Sequence, residues 1–203
     1  MEKLHENFSK VVVDENGDLL IMIADKSDQN LNKQFLVNSH IVRRSSEKWA
    51  DLIKDRHDGS GEPHLPWMIL KGEVASYGML FSIMHCNFAD VPAGLNQSEL
   101  CRVLEVTEEY QITYLLRPWA AMWIKDLQND VSGCYNLVRD AREILERLYI
   151  AWALGEKVVF RNLIEHLASN IIVDNESILL DIVDETLSEL PRQDIEIPGL
   201  FGA

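Results

Sequence analysis

Short apolar runs broken by polar turns occupy the first forty residues, and helical spacing of apolar positions follows. Val11–Val13, then Asp14-Glu15-Asn16-Gly17, then Leu19–Ile23 predict strand, turn, strand. Asn16-Gly17 is a turn dipeptide whose residues both tolerate positive φ. Leu19–Ile23 is apolar on both faces, which predicts a strand buried centrally between its neighbours. After the polar loop 25–33, Gln34–Val37 is expected to pair back as a third strand, completing a β-meander.

The period changes abruptly at Asn38-Ser39. Ile41, Ser45 and Trp49 recur every four residues, so this corner predicts a strand-to-helix junction with Ser39 as N-cap. The helix is expected to run to about Lys54 and to bury Ile41, Val42, Ser45, Trp49, Leu52 and Ile53. A loop rich in Gly, Pro and charge follows, "KDRHDGSGEPHLP", and then a short strand, Trp67–Leu70. Val74 to His85 is helical with apolar residues too scattered for one stripe, which predicts burial on several sides.

Ser98 is expected to cap a helix that carries Leu100, Val103, Leu104 and Thr107 on one face. Ile112, Leu115, Leu116, Trp119 and Trp123 mark the next, in which Pro118 forces a kink or a restart. A shift of composition around 129–133 suggests a boundary, and beyond it three amphipathic helices are expected. The first uses Ala141, Ile144, Leu145, Leu148 and Trp152 and stops at Gly155. The second uses Phe160, Leu163, Ile164 and Leu167. The third opens at Asp174 or Asn175, uses Leu179, Ile182, Val183 and Leu190, and ends at Pro191. The fold class is therefore α+β, with helices segregated to one side and an all-helical extension at the end.

Composition narrows the functions available. A chain of 203 residues, 47% hydrophobic and 26% charged, has the balance of a folded protein. Its net charge of −14 repels phosphate backbones, which argues against nucleic acid as a partner. The start "MEKLHENFSK" lacks the apolar segment of a secretory signal, and no apolar run approaches the roughly 18 residues of a membrane span. Cys86, Cys101 and Cys134 are odd in number and widely spaced, which suits buried thiols in a reduced, intracellular setting, nucleus or cytoplasm.

The stretch "GDLLIMIADK…FLVNSHIVRRSSEKWADLI" resembles the opening of a BTB (POZ) domain. Asp18, Phe35, Val37, Ser39, Val42, Ser46, Trp49 and Leu52 stand at the positions of that pattern. "LCRVLEVTEEYQITYLLRPWAAMWI" is similar to the helix pair that closes such domains, with Tyr110 and Trp119 placed as in fungal members. "LYIAWALGEKVVFRNLIEHLASNII" resembles the helical segment that follows the domain in those members. The resemblance implies a BTB/POZ-like domain over 8–128, a small, mostly antiparallel sheet flanked by a helical cluster, and a helical extension over 129–203. Transcription-factor members place a basic residue where Ser39 stands, facing the aspartate matched by Asp18. That charge pair is not reproduced, so the resemblance does not extend to a co-repressor pocket of that kind. The ten residues before Val11 would reach roughly 15 Å as helix, short for the swapped arm of such dimers.

Catalytic chemistry finds little footing. His85 and Cys86 are adjacent and diverge on a helix, no HExxH or close His/Cys pair occurs, and "GxSxG" is absent. "GSGE" at Gly59–Glu62 lacks the Lys-Ser/Thr of a phosphate loop, and "LGEK" at Leu154–Lys157 reads as an interhelical turn. Glu108-Glu109, Asp184-Glu185 and Asp55 with Asp58 are neighbours expected by chance among 33 acidic residues. Arg43, Arg44 and Lys48 form a small basic patch that a solvated face explains, and Trp119, Trp123 and Trp152 fall on apolar stripes expected in the core. No catalytic, cofactor-binding or metal residue is therefore assigned and no cofactor is expected. The reading is a non-catalytic protein–protein interaction module, a BTB-type scaffold or adaptor. Its partners are proteins, not nucleic acid or membrane, and the chain itself is a monomer or weak homodimer. The alternative is a substrate adaptor of a cullin-type ubiquitin ligase, for which Ile53-Lys54-Asp55 is the nearest apolar-x-acid element.

Overall fold

The computed structural model describes residues 8–26, 28–54, 66–131, 141–173, 178–182 and 186–189. Two compact units emerge, one of residues 1–92 with 105–115, the other of residues 93–104 with 116–203. The architecture is mixed α+β.

The first unit holds a four-stranded sheet of β1 (Ser9–Val12), β2 (Leu19–Asp25), β3 (Lys33–Val37) and β4 (Trp67–Gly72), in the order β1-β3-β2-β4. β2 is central as its two-sided apolarity requires, with Ile21, Met22 and Ile23 completely buried. Its neighbours differ from expectation. β2 lies between β3, antiparallel, and β4, parallel, while β1 runs parallel to β3 and does not touch β2, so the sheet is mixed with two of its three pairings parallel, not the mostly antiparallel one expected.

The expected meander fails because the turn crosses a strand. The N–H groups of Val13 and Asp14 both donate to the Leu36 carbonyl, so β1 peels away there. Gly17 N–H then donates to the Asp14 carbonyl at 3.0 Å, and Asp18 N–H to the Val37 carbonyl at 3.0 Å, which carries the chain over the end of β3. The turn spans Asp14 to Gly17 with Glu15 and Asn16 at its centre, one residue earlier than Asn16-Gly17, and neither Asn16 nor Gly17 is at positive φ. Glycine serves another purpose: a Cβ at position 17 would lie 2.7 Å from Leu36 Cγ.

The junction after β3 yields two helices where one was expected, α1 (Ser39–Ser45) and α2 (Glu47–Lys54). Ser46 between them is extended, and its hydroxyl accepts from Trp49 N–H at 3.1 Å, restarting the helix. Of the six residues expected to be buried, Val42, Trp49 and Ile53 are; Ile41, Ser45 and Leu52 are half-buried. Helix α3 (Val74–Met84) buries eight of its eleven residues, on all sides, as its scattered apolarity predicts. Its first N–H is capped from the sheet by Asp25 Oδ2 at 3.2 Å. The core gathers Phe35, Trp49, Tyr77, Phe81 and Tyr110 into one aromatic cluster, with Trp49 stacked on Tyr110 at 4.3 Å between ring centres.

Helix α4 (Gln97–Glu109) contributes its start to the second unit and its end to the first. Leu100, Val103, Leu104 and Thr107 are buried as expected, but the cap is not Ser98. Asn96 Oδ1 accepts from Glu99 N–H and Glu99 Oε2 accepts from Asn96 N–H, both at 2.9 Å, a reciprocal box. A 3-10 turn, Thr113–Leu116, leads to α5 (Arg117–Val131), so Pro118 marks a restart and sits in a first turn that needs no N–H from it. Because α5 runs through Asn129 to Val131, the break expected at 128/129 falls inside its last turn.

Helix α6 (Ala141–Ala153) ends at Gly155, φ +76°. Gly155 N–H donates to the Trp152 carbonyl and Glu156 N–H to that of Ala151, a Schellman closure that glycine permits without strain. Helix α7 (Lys157–Asn170) follows, burying Leu163 and Leu167. The third helix does not form. Instead β5 (Ile171–Val173), β6 (Ile178–Ile182) and β7 (Thr186–Glu189) make a second, antiparallel sheet, so the extension is not all-helical. The reason lies in composition: Ile171, Ile172, Val173, Ile178 and Ile182 are β-branched and lose rotamer freedom in a helix. Leu190 and Pro191 lie outside the described residues.

Candidate interaction surface

The corner between β3 and α1 is built by side chains bonding to backbone. Asn38, not Ser39, is the N-cap: its Oδ1 accepts from the N–H groups of His40 at 3.1 Å and Ile41 at 3.4 Å. That leaves Ser39, which is buried, to serve Asp18 at the start of β2. Ser39 N–H donates to Asp18 Oδ1 at 2.6 Å and its hydroxyl to Oδ2 at 2.8 Å. Burial pushes the Asp18 carboxyl upward, but the bonds from Ser39 outweigh it and hold the group below the usual carboxylate range. A neutral hydroxyl thus stands where a cation was the alternative, and the carboxylate is satisfied without one.

His85, just past α3, locks the same corner. Its Nε2 accepts from Asn38 N–H at 3.0 Å and its Nδ1 pairs with the Phe81 carbonyl at 2.8 Å, which assigns the proton to Nδ1. Asn87 Nδ2 donates to the Val13 carbonyl at 2.8 Å, tying the end of β1 to the turn after α3. Deeper in, Tyr77 and Tyr110 bring their hydroxyls within 3.3 Å, and burial raises both phenols.

Helices α1 and α2 are fastened to the last residue of α4 and to the 3-10 turn that follows it. Lys48 Nζ donates to the Glu109 carbonyl at 2.6 Å, and the exposed Tyr114 donates its hydroxyl to the Ser45 carbonyl at 2.8 Å. Beside them, Arg43 and Arg44 close α1 with no hydrogen-bond or ion-pair partner among the described residues. No sequence signal marks Tyr114; its role follows only once α1 and the 3-10 turn are neighbours.

In the second unit, the start of α4 is joined to α6 by a polar knot. Gln97 Nε2 donates to the Glu143 carbonyl at 3.0 Å and Glu146 Oε2 at 2.9 Å, and its Oε1 accepts from Arg147 Nε at 2.9 Å. Arg147 also pairs with Glu143 at 2.6 Å. Of the three tryptophans expected in the core, Trp123 is fully buried, Trp119 half-buried, and Trp152 remains 36% exposed while stacked on Tyr149.

Among the described residues no three of His, Cys, Asp and Glu come together to hold a metal ion. Cys101 is buried, but Cys86 is exposed and at φ +62°, a correction to the expectation of buried thiols. Glu108 and Glu109 are exposed at the end of α4. Cys134, Gly59–Glu62, Asp55, Asp58, Asp184 and Glu185 lie outside the described residues. No helix among those described is long and apolar enough to cross a membrane. Neither the protein-family models nor the curated proteins contain a match to this sequence.

Proposed function

We propose that the chain is a non-catalytic protein–protein interaction module of BTB type, acting inside the cell, in nucleus or cytoplasm. The observation that carries this reading is the sheet order β3-β2-β4 joined to α1 and α2 by the Asp18–Ser39 pair. It supports the element order that the sequence resemblance implies. The polar side chains that meet in the first unit support the same reading: Asp18, Asn38, His85 and Asn87 bond backbone groups and hold a corner in place. The cullin-adaptor alternative is weakened, since Ile53 of its apolar-x-acid element is 2% exposed.

The test is quantitative affinity capture from the source cell with the full chain and an unrelated protein of similar negative charge. An interaction module predicts a small set of proteins held at near-stoichiometric levels by the chain and not by the control. Identical sets on both baits would refute the reading. Titration of the chain with a purified cullin N-terminal region is the arm for the adaptor function, and saturable binding there would restore it.

A further inference from the structure

We infer that the outer face of α1 and α2 docks an acidic peptide segment of a partner protein, with Arg43 and Arg44 as its anchors. This rests on the interaction-module reading and specifies the chemistry of the partner. The chain carries a net charge of −14, yet Ser39–Lys54 sets four cations, Arg43, Arg44, Lys48 and Lys54, against two carboxylates, Glu47 and Asp51. The helix that follows in the same unit has no charged residue, and α4 sets Glu99, Glu105, Glu108 and Glu109 against Arg102 alone. The positive character is thus local to one segment in an acidic molecule, where it favours an anionic partner by contrast with the acidic helix α4 of the chain.

Arg43 and Arg44 are the distinctive part. Glu47 stands four residues after Arg43 and Asp51 one turn further, but no ion pair joins either arginine to them, and Arg43 is half-buried with its guanidinium unpartnered among the described residues. Complementing the dipole of α1 does not account for the pair, because α1 has only seven residues and one cation in its last turn would serve. A guanidinium left with five donors suits bidentate pairing with carboxylates. The platform is rigid: Lys48 and Tyr114 are fastened to backbone carbonyls of Glu109 and Ser45, and Tyr114, 48% exposed, adds an aromatic surface beside the cations. Arginine with tyrosine is the composition of interface anchors, and preorganisation lowers the ordering cost of binding. A protein segment is favoured over nucleic acid because the surrounding negative charge acts over a whole phosphate backbone but leaves a short acidic peptide room to dock.

The experiment pans a phage-displayed library of random dodecapeptides on the full chain and on the R43E/R44E variant, whose melting is measured alongside. Neither arginine has a hydrogen bond or ion pair to lose among the described residues, so the variant is expected to melt close to the wild type. The expected result is enrichment of Asp- and Glu-rich peptides on the wild type alone, with the best synthetic peptide losing at least tenfold in affinity on the variant. That affinity should also fall as salt rises from about 50 to about 300 mM. Enriched peptides without acidic bias, or unaffected by the variant, would overturn the assignment and leave the interaction-module reading standing; no enrichment on either protein would count against both. Two further outcomes overturn it: fluorescein-labelled single-stranded DNA binding more tightly than the peptide through Arg43 and Arg44, or self-association in light scattering that the variant abolishes, which would make a second copy the occupant.

Discussion

Trp49 offers the sharpest test of the packing argument, because one side chain there carries two opposing effects. It is 1% exposed, stacked on Tyr110 and set edge-on to Phe81, yet its indole Nε1 is buried with no partner among the described residues. Trp49→Ala removes the whole side chain and is expected to cost about 3–5 kcal/mol, toward the upper end because the aromatic stack is lost as well. Trp49→Phe removes roughly 40 Å³, worth about 1 kcal/mol of cavity at ~24 cal/mol per Å³, and about 1 kcal/mol of transfer energy. Against that, it deletes a buried donor whose unmet bond carries about 1–3 kcal/mol. The two nearly cancel, so Trp49→Phe should lie within about 1 kcal/mol of the wild type. Urea denaturation followed by circular dichroism measures both variants without relying on the fluorophore that is changed. A loss of about 3 kcal/mol or more for Trp49→Phe would mean that the indole N–H has an acceptor, and the reasoning would fall.

Asp18→Asn should cost about 1–2 kcal/mol at neutral pH, since Asp18 accepts two bonds from Ser39 in a site still partly open to solvent. The sign with pH follows from a folded carboxyl held below its unfolded value: the stabilisation is full above the unfolded value and is lost as pH falls through the folded one. The difference between wild type and variant should therefore shrink below about pH 4, and a constant difference from pH 7 to 2 would refute the linkage. In a Cys134→Ser background, maleimide labelling should modify the exposed Cys86 quickly and the buried Cys101 only on unfolding. Equal rates at both thiols would contradict the burial pattern.

What could be read in the sequence was whatever a single segment decides for itself. Leu19–Ile23 is apolar on both faces and is central in the sheet; Val74–Met84 is apolar all round and is buried all round; Gly155 ends a helix at positive φ. The errors concern partners. β1 and β2 are joined by a good turn sequence, but pairing depends on what β3 does 24 residues after β1, and β3 inserts between them. At both misplaced caps, Ser39 and Ser98, an asparagine just upstream takes the role: Asn38 and Asn96 reach the first free N–H groups, and Ser39 is diverted to Asp18. In the extension, Leu179 and Ile182 fit a helical period and a strand equally well, and β-branched neighbours tip the balance.

The surface was legible in charge and illegible in geometry. Arg43, Arg44 and Lys48 are visible in the sequence as a basic run, and a solvated face explains any such run until partners are known. The structure separates the three: Lys48 is spent on the Glu109 carbonyl, while both arginines remain without partners in the described residues. That distinction turns on Tyr114 and Glu109, more than sixty residues away, which fix the edge of the helix pair from outside. The extended residue Ser46 matters for the same reason. It ends α1 at Ser45, so the two guanidiniums stand in the last turn of a helix instead of facing the next turn of a continuous one, where Glu47 and Lys48 would lie four residues on from them. A break that looks like a defect in a long amphipathic helix thus places the basic pair at a helix end.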